Sequence, residues 1–360
     1  MIHQLRKEQV EGARRYNVLD YGINSTSNDN TARLNDLIQK VYEKGGGEIY
    51  FPAGVYKFSG TIILKSNITL NGDGWNTILL QTGLGNLIQI GDENKPAGVW
   101  FENIKVSNLF LNCDNPNNAG RGIILYGTTD NPNDALRYTT RKIIFQNLRI
   151  ENFGYAGIDV DWVVLNVFYN TVWARKNGRF GIKVGVDCDV INCFISENGI
   201  KYPNDFYNCG ILVAGSDTRI SNCHIWGWGQ EKGILIEWSG DIQVLGCVIE
   251  EHSREGVFIY NSSTTRIVNN YFEDNSFGNP NLFSAIKIVG NSDTNPSIYT
   301  YIFGNRFGKQ IWGGDLANHK YCVEEEVGGN GWVDYTVFEG NYCWNGYRTD
   351  IVKFVGSNSI

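Results

Sequence analysis

Short apolar runs return at a near-regular interval through most of this 360-residue chain, and that recurrence restricts the fold more than any other feature. "VSNLFL", "FQNLRI", "FYNTVW", "VINCFI", "ISNCHI", "VLGCVI" and "IVNNYF" repeat one unit, marked at Asn108, Asn147, Asn170, Asn192, Asn222, Gly246 and Asn269. The steps between markers are 39, 23, 22, 30, 24 and 23 residues. A second unit interleaves with the first: "GIILY", "GIDVD", "GIKVG", "GILVA", "GILIE", "GVFIY" and "AIKIV", starting at Gly122, Gly157, Gly181, Gly210, Gly233, Gly256 and Ala285. Two strand units per 22–24 residues, with extra length inserted at one phase, mark a solenoid. The period is too short for propeller blades of about 40 residues, and no leucine-rich frame is present. The expected fold is all-β: a single-stranded right-handed parallel β-helix, each coil stacked about 4.8 Å above the last. Equivalent side chains then form ladders, with the Asn series bonding between coils and Cys193, Cys223 and Cys247 forming a row of thiols.

One segment breaks the pattern. Residues 30–44 carry Leu34, Leu37, Ile38, Val41 and Tyr42 as one apolar stripe at helical spacing. Asp29 or Asn30 can cap its start and Gly45 can end it. "EIYF" and "TIILKSNITL" follow as strands. The 42 glycines and a charged fraction of 19% suit a β-rich chain with many tight turns. A net charge of −7 argues against nucleic acid as a partner. No run of about 18 apolar residues predicts membrane insertion. The N-terminal residues have no apolar core of a secretory signal. The eight cysteines show no metal-ligand spacing, so reduced buried thiols are expected and neither metal nor cofactor is.

The stretch "DYG…DNTARLNDLIQKVYEKGGGEIYFPAGVYKFSGTIILKSNITLNGDG" resembles the N-terminal signature of the pectate-lyase-like superfamily, in the version found in bacteriophage tailspikes and related polysaccharide depolymerases. Asp20–Gly22, Asn30–Thr31, Gly45–Tyr56 and Leu64–Gly74 carry the match, while "INSTSNDN" departs from the usual loop. The resemblance implies a β-helix plugged at one end by the helix, a homotrimer, and action on a bacterial polysaccharide. It implies a product of a phage tail, or one released outside the cell without a signal peptide. The expected organisation is a short segment 1–15 contacting tail components or a neighbouring subunit, a cap and first coils over 16–75, coils over 76–300, and degraded coils with a C-terminal cap over 301–360.

In "GIxVx" the Ile and Val point inward and the two x positions outward. One outward column then reads Ile124, Asp159, Lys183, Leu212, Leu235, Phe258 and Lys287. The next reads Tyr126, Asp161, Gly185, Ala214, Glu237, Tyr260 and Val289, with Gly185 and Ala214 as an open floor. Asp159, Asp161 and Glu237 are the first candidates for the two carboxyl groups that glycoside hydrolysis needs, with Glu250 and Glu251 behind them. Asp159 and Asp161 are about 6.6 Å apart along one strand face, whereas Glu237 is roughly 14 Å from Asp161 and is expected to pair with Glu250, Glu251, Glu255 or Asp241. The expected sugar-binding residues are Trp162, Lys183, Trp226, Trp228, Trp238, Tyr260 and, from the inserted loop "KYPNDFYNC", Asp205. A surface ion pair between Asp159 and Lys183 is the plain structural alternative. The leading expectation is a depolymerase of glycoside hydrolase type. A lyase on a uronate polymer, with Lys183 and Arg179 or Arg175 facing the substrate carboxylate, is one alternative. A non-catalytic receptor-binding protein is the other.

Overall fold

Strand pairs with strand in parallel throughout the computed structural model, which describes residues 14–94, 100–127, 140–294, 296–308, 319–343 and 351–360. The expected attachment segment 1–15 lies almost wholly outside the described residues. One sheet of eleven strands runs from Ile62–Leu64 through Ala156–Val160, Phe180–Val184 and Lys232–Glu237 to Val352–Lys353. A second, bent sheet of 22 strands forms the remaining walls of every coil. Parallel strands bury both ladder partners in a common interior, and here Ile123, Ile158, Ile182, Ile211, Ile234, Val257 and Ile286 follow one another in register up the stack. All seven are fully buried. The coils continue in register beyond residue 300, where Lys287 pairs with Glu324 and Glu324 with Lys353.

The glycine that opens six of the seven copies of the second unit sits at a corner facing inward. A Cβ on Gly181 would lie 2.8 Å from the Gly210 carbonyl oxygen, and one on Gly233 would lie 2.4 Å from that of Gly256. Both distances are closer than a carbon can approach, so the corner admits no side chain on these coils. The residue before each glycine therefore turns to the outer face.

The ladders form, with one slip in register. Asn147 donates to Asn108 and Asn108 to Asn71, both at 2.8 Å. Thr171, and not Asn170, takes the left-handed corner at the next coil, because Gln146 pairs with Asn170. Cys193, Cys223 and Cys247 are buried in a row, each thiol donating to backbone carbonyls of its own coil and of the preceding one. A further ladder runs inside the turn after the first unit. Asn177 donates to Asn198 at 3.0 Å, Asn198 to Gln230 at 3.1 Å, and His252 bridges Gln230 at 3.0 Å and Asn275 at 2.7 Å. His252 is thus a packed interior group.

The helix spans Thr31–Glu43 and buries Leu34, Leu37, Ile38 and Val41 against the first coil; Tyr42, expected on the same stripe, stays 43% exposed. Asp29 supplies the cap, accepting from the Thr31 and Ser59 amides at 3.0 and 3.1 Å. Burial pushes its carboxyl up, but the bonds from Thr31 and Ser59 together outweigh it and bring it down to about 2. Among the described residues no helix is long and apolar enough to cross a membrane.

Candidate active site

The eleven-stranded sheet fixes the candidate residues by register. Asp159 stands beside Ile124, and Lys183 beside Leu212, Leu235 and Phe258 in turn. Glu237 stands beside Tyr260. The expected outward columns are therefore present. Leu212, Leu235 and Phe258 are nonetheless buried, in a second apolar cluster with Ala156, Phe180, Cys209 and Val289. The inserted loop explains this, because Tyr207 and Phe206 close over them. Four anchors hold the loop down. Lys201 Nζ donates to the Pro116 and Asn118 carbonyls at 3.0 and 3.2 Å, and the Asn204 amide donates to Glu231. The buried Lys232 donates to the Phe206 carbonyl at 3.1 Å, and Arg179 grips Asp205 with two bonds of 2.9 and 3.0 Å. Burial pushes the Asp205 carboxyl up, yet the Arg179 fork and the Tyr207 amide outweigh it and hold it below its ordinary value.

The charged centre lies at the edge of this covered patch. Asp159 is clamped between two cations from neighbouring coils: Arg121 Nε at 2.6 Å and Lys183 Nζ at 4.0 Å. The Arg121 guanidinium stacks over the Tyr155 ring at 4.1 Å, and Arg179 donates to the Tyr155 hydroxyl oxygen at 2.6 Å. Three cations from the two flanking coils, Arg121 on one side and Arg179 and Lys183 on the other, thus surround one tyrosine and one aspartate. Glu237 faces the same ground from the far side. Burial raises its carboxyl, and Lys183, Tyr207 and Arg179 only partly counter that. Phe206 and Trp238 pack at 5.3 and 6.0 Å against the ring of Tyr260, the residue beside Glu237 on the next coil.

Several expected members are elsewhere. Asp161, two residues beyond Asp159 on the same coil, accepts the Gly127 amide at 3.1 Å instead of joining the clamp. Gly185 is no open floor, since the Val164 carbonyl lies 2.3 Å from where its Cβ would stand. Glu250, Glu251, Trp226 and Trp228 belong to the other sheet and its turn. There, Glu250 binds His224 at 2.5 Å and Trp226 Nε1 donates to Glu251 at 2.6 Å. They cannot partner Glu237, because the turn between the units rotates them to another side of the coil; Asp241, at the start of Gly240–Leu245 in that sheet, is excluded likewise. Arg175 also points there, bound to Glu197. Trp162 and Trp238 are more than half exposed beside the patch. Arg121, Tyr155 and Tyr207 escaped the sequence reading. Arg121 had a signal: it is the residue before the corner glycine, in one column with Ala156, Phe180, Cys209 and Lys232. Among the described residues no group of three or more His, Cys, Asp or Glu is placed to hold a metal ion.

A family model described as a right-handed β-helix region matches residues 136–305. The A-module of mannuronan C-5 epimerase AlgE6 from Azotobacter vinelandii superposes with a TM-score of 0.71 at 18% identity, covering 96% of this chain and 97% of that one. The chain is a right-handed parallel β-helix. The Dettilon tailspike protein shares that fold with a TM-score of 0.70 at 12% identity, over 91% of this chain and 62% of its own. In sequence, the β-helix is 24% identical to mannuronan C5-epimerase AlgE5 over 96% of its length and 37% of the relative's. It is 27% identical to alginate lyase 7 over 96% of its length and 43% of the relative's, both from Azotobacter vinelandii. The chain spans about two fifths of the length of these curated relatives.

Proposed function

We propose that this β-helix acts on a uronate-containing polysaccharide, with polymannuronate the leading candidate, by moving the proton on the carbon that bears the sugar carboxylate. The observation that carries the reading is the convergence of Arg121, Lys183 and Arg179 on Tyr155 and Asp159. Such a proton is removable only when the adjacent carboxylate is neutralised, so that the negative charge developing on it is stabilised. Lys183 and Arg121 are the groups to do this, and Asp159 keeps both side chains in place until substrate arrives. The Tyr155 oxygen, fixed by Arg179, is the group to exchange the proton. Glu237, raised by burial, is suited to give a proton to the second face of the sugar or to the leaving oxygen. Elimination yields an unsaturated uronate and reprotonation yields an epimer. The names of the epimerase and lyase relatives support this class of chemistry over hydrolysis. So does the clamp on Asp159, which is committed to two cations and is not available as a free base.

The test is incubation with polymannuronate in deuterated water. Elimination is followed by ultraviolet absorbance of the unsaturated product, epimerisation by deuterium at the carbon next to the carboxylate, and hydrolysis by new reducing ends alone. Deuterium uptake or unsaturation is expected, lowered at least about a hundredfold in Lys183→Met and Tyr155→Phe. Reducing ends with neither signature would establish a hydrolase and overturn the reading.

A further inference from the structure

The bent sheet carries a corner column in which the backbone is left-handed at every coil. Asn103, Lys142, Asn166, Asp187, Asp217 and Asp241 fill it with φ of 51–58°, and Thr264, Tyr299 and Tyr335 follow in the next three coils. Asn and Asp tolerate this conformation best, and a bulky side chain there is an outlier. Tyr299 and Tyr335 hold φ of 57° and 56°. The turn would be better served by asparagine, so the rings themselves account for tyrosine. They stack on each other at 5.0 Å and stay 54% and 42% exposed. The coil before Tyr299 supplies only Thr264, which leaves the second face of the Tyr299 ring uncovered. Arg266, two residues beyond Thr264, is exposed and makes no ion pair or hydrogen bond with any described residue. The groove between them holds about 680 Å³ and, among the described residues, has no acidic side chain in its lining. That volume suits a sugar-sized ligand.

We propose that this groove is a non-catalytic binding site for a uronate residue of a polysaccharide, stacked on the open face of Tyr299 with its carboxylate on Arg266. The ligand class rests on the polyuronate reading above; the place does not, since it lies on a different sheet from the Asp159 clamp. Ring stacking supplies the apolar contact and the unpaired guanidinium the charge. A second copy of the chain is a poorer occupant, because an apolar self-contact would bury Arg266 without a partner.

Affinity electrophoresis of the full chain in gels containing polymannuronate, with dextran as the neutral control, tests this. Polymannuronate and not dextran is expected to retard the wild type. Tyr299→Asn, which leaves the residue this corner prefers, and Arg266→Gln are each expected to weaken retardation about fivefold or more. Neither should lower the melting temperature or the turnover of short oligouronates. Tyr155→Phe, dead in turnover but keeping the cations that hold the carboxylate, should bind in the gel as the wild type does, so a failure of the catalytic reading leaves a separate mark. Unchanged retardation in both groove variants overturns the site, and so does a wild type that polymannuronate does not retard. Sedimentation showing a wild-type oligomer that Tyr299→Asn dissociates would reassign the groove to a subunit contact.

Discussion

Protonating His252 would set an N–H against the amide of Gln230, with both side chains fully buried. Its Nδ1 already donates to Asn275, so the ladder demands the neutral ring with Nε2 as acceptor. Burial accordingly lowers this imidazole to about 4, from 6.5 when unfolded. Because the folded value is the lower one, the unfolded chain binds the extra proton between those limits. Stability is fully present above pH 6.5 and falls as the pH drops through about 4. Thermal unfolding across that range should show the decline, and His252→Asn, which continues the amide ladder, should flatten it. Buried His319, lowered to about 3, is expected to supply the remainder. Residues of this kind are hard to place from the chain alone. The corner columns were visible as spaced Asn and Gly, whereas His252 belongs to a ladder whose members, Asn177, Asn198, Gln230 and Asn275, differ in type and spacing. Arg121 and Tyr155 were missed for a similar reason: each lies just outside the repeated "GIxVx" frame, where inserted lengths blur the alignment.

Strand and turn were far more legible, because burial repeats with the coil. Alternation placed Asp159, Lys183 and Glu237 on the outer face, and the register agrees. Nothing in that alternation could show that the 200–208 loop folds back over Leu212, Leu235 and Phe258, since a covered outward leucine and an exposed one have the same periodicity. The same loss of information affects Glu250, which alternation marks as outward without saying outward from which sheet. The glycine corners offer a test at this scale. Gly233→Ala would place a Cβ 2.4 Å from the Gly256 carbonyl and 2.9 Å from Ile249, and the coil must shift to admit it. A loss of about 1–3 kcal/mol is expected by chemical denaturation. Gly240→Ala, whose nearest neighbour is Ser263 Oγ at 3.4 Å, should stay within about 0.5 kcal/mol of the wild type.

A stack of coils has two ends, and each would expose apolar side chains and unpaired backbone groups if left open. The helix Thr31–Glu43 closes one of them through Leu34, Leu37, Ile38 and Val41. Ile38→Asp would bury a carboxylate without a partner on that interface, and is expected to produce soluble aggregates by light scattering and a large drop in melting temperature. Tyr42→Asp, on the exposed side of the same helix, should behave as the wild type. The loop over Leu212, Leu235 and Phe258, beside the clamp, has a different kind of significance. The Gly199 amide bonds to the Asn177 carbonyl, the Asn208 side chain donates back to Gly199 at 3.0 Å, and the Cys209 amide returns to the Arg179 carbonyl. Departure and return therefore lie on the same coil, and the strands on either side keep their register whatever the excursion between them contains. These few residues can therefore be exchanged without disturbing the coils that carry them, as interchangeable tooling on an unaltered chassis.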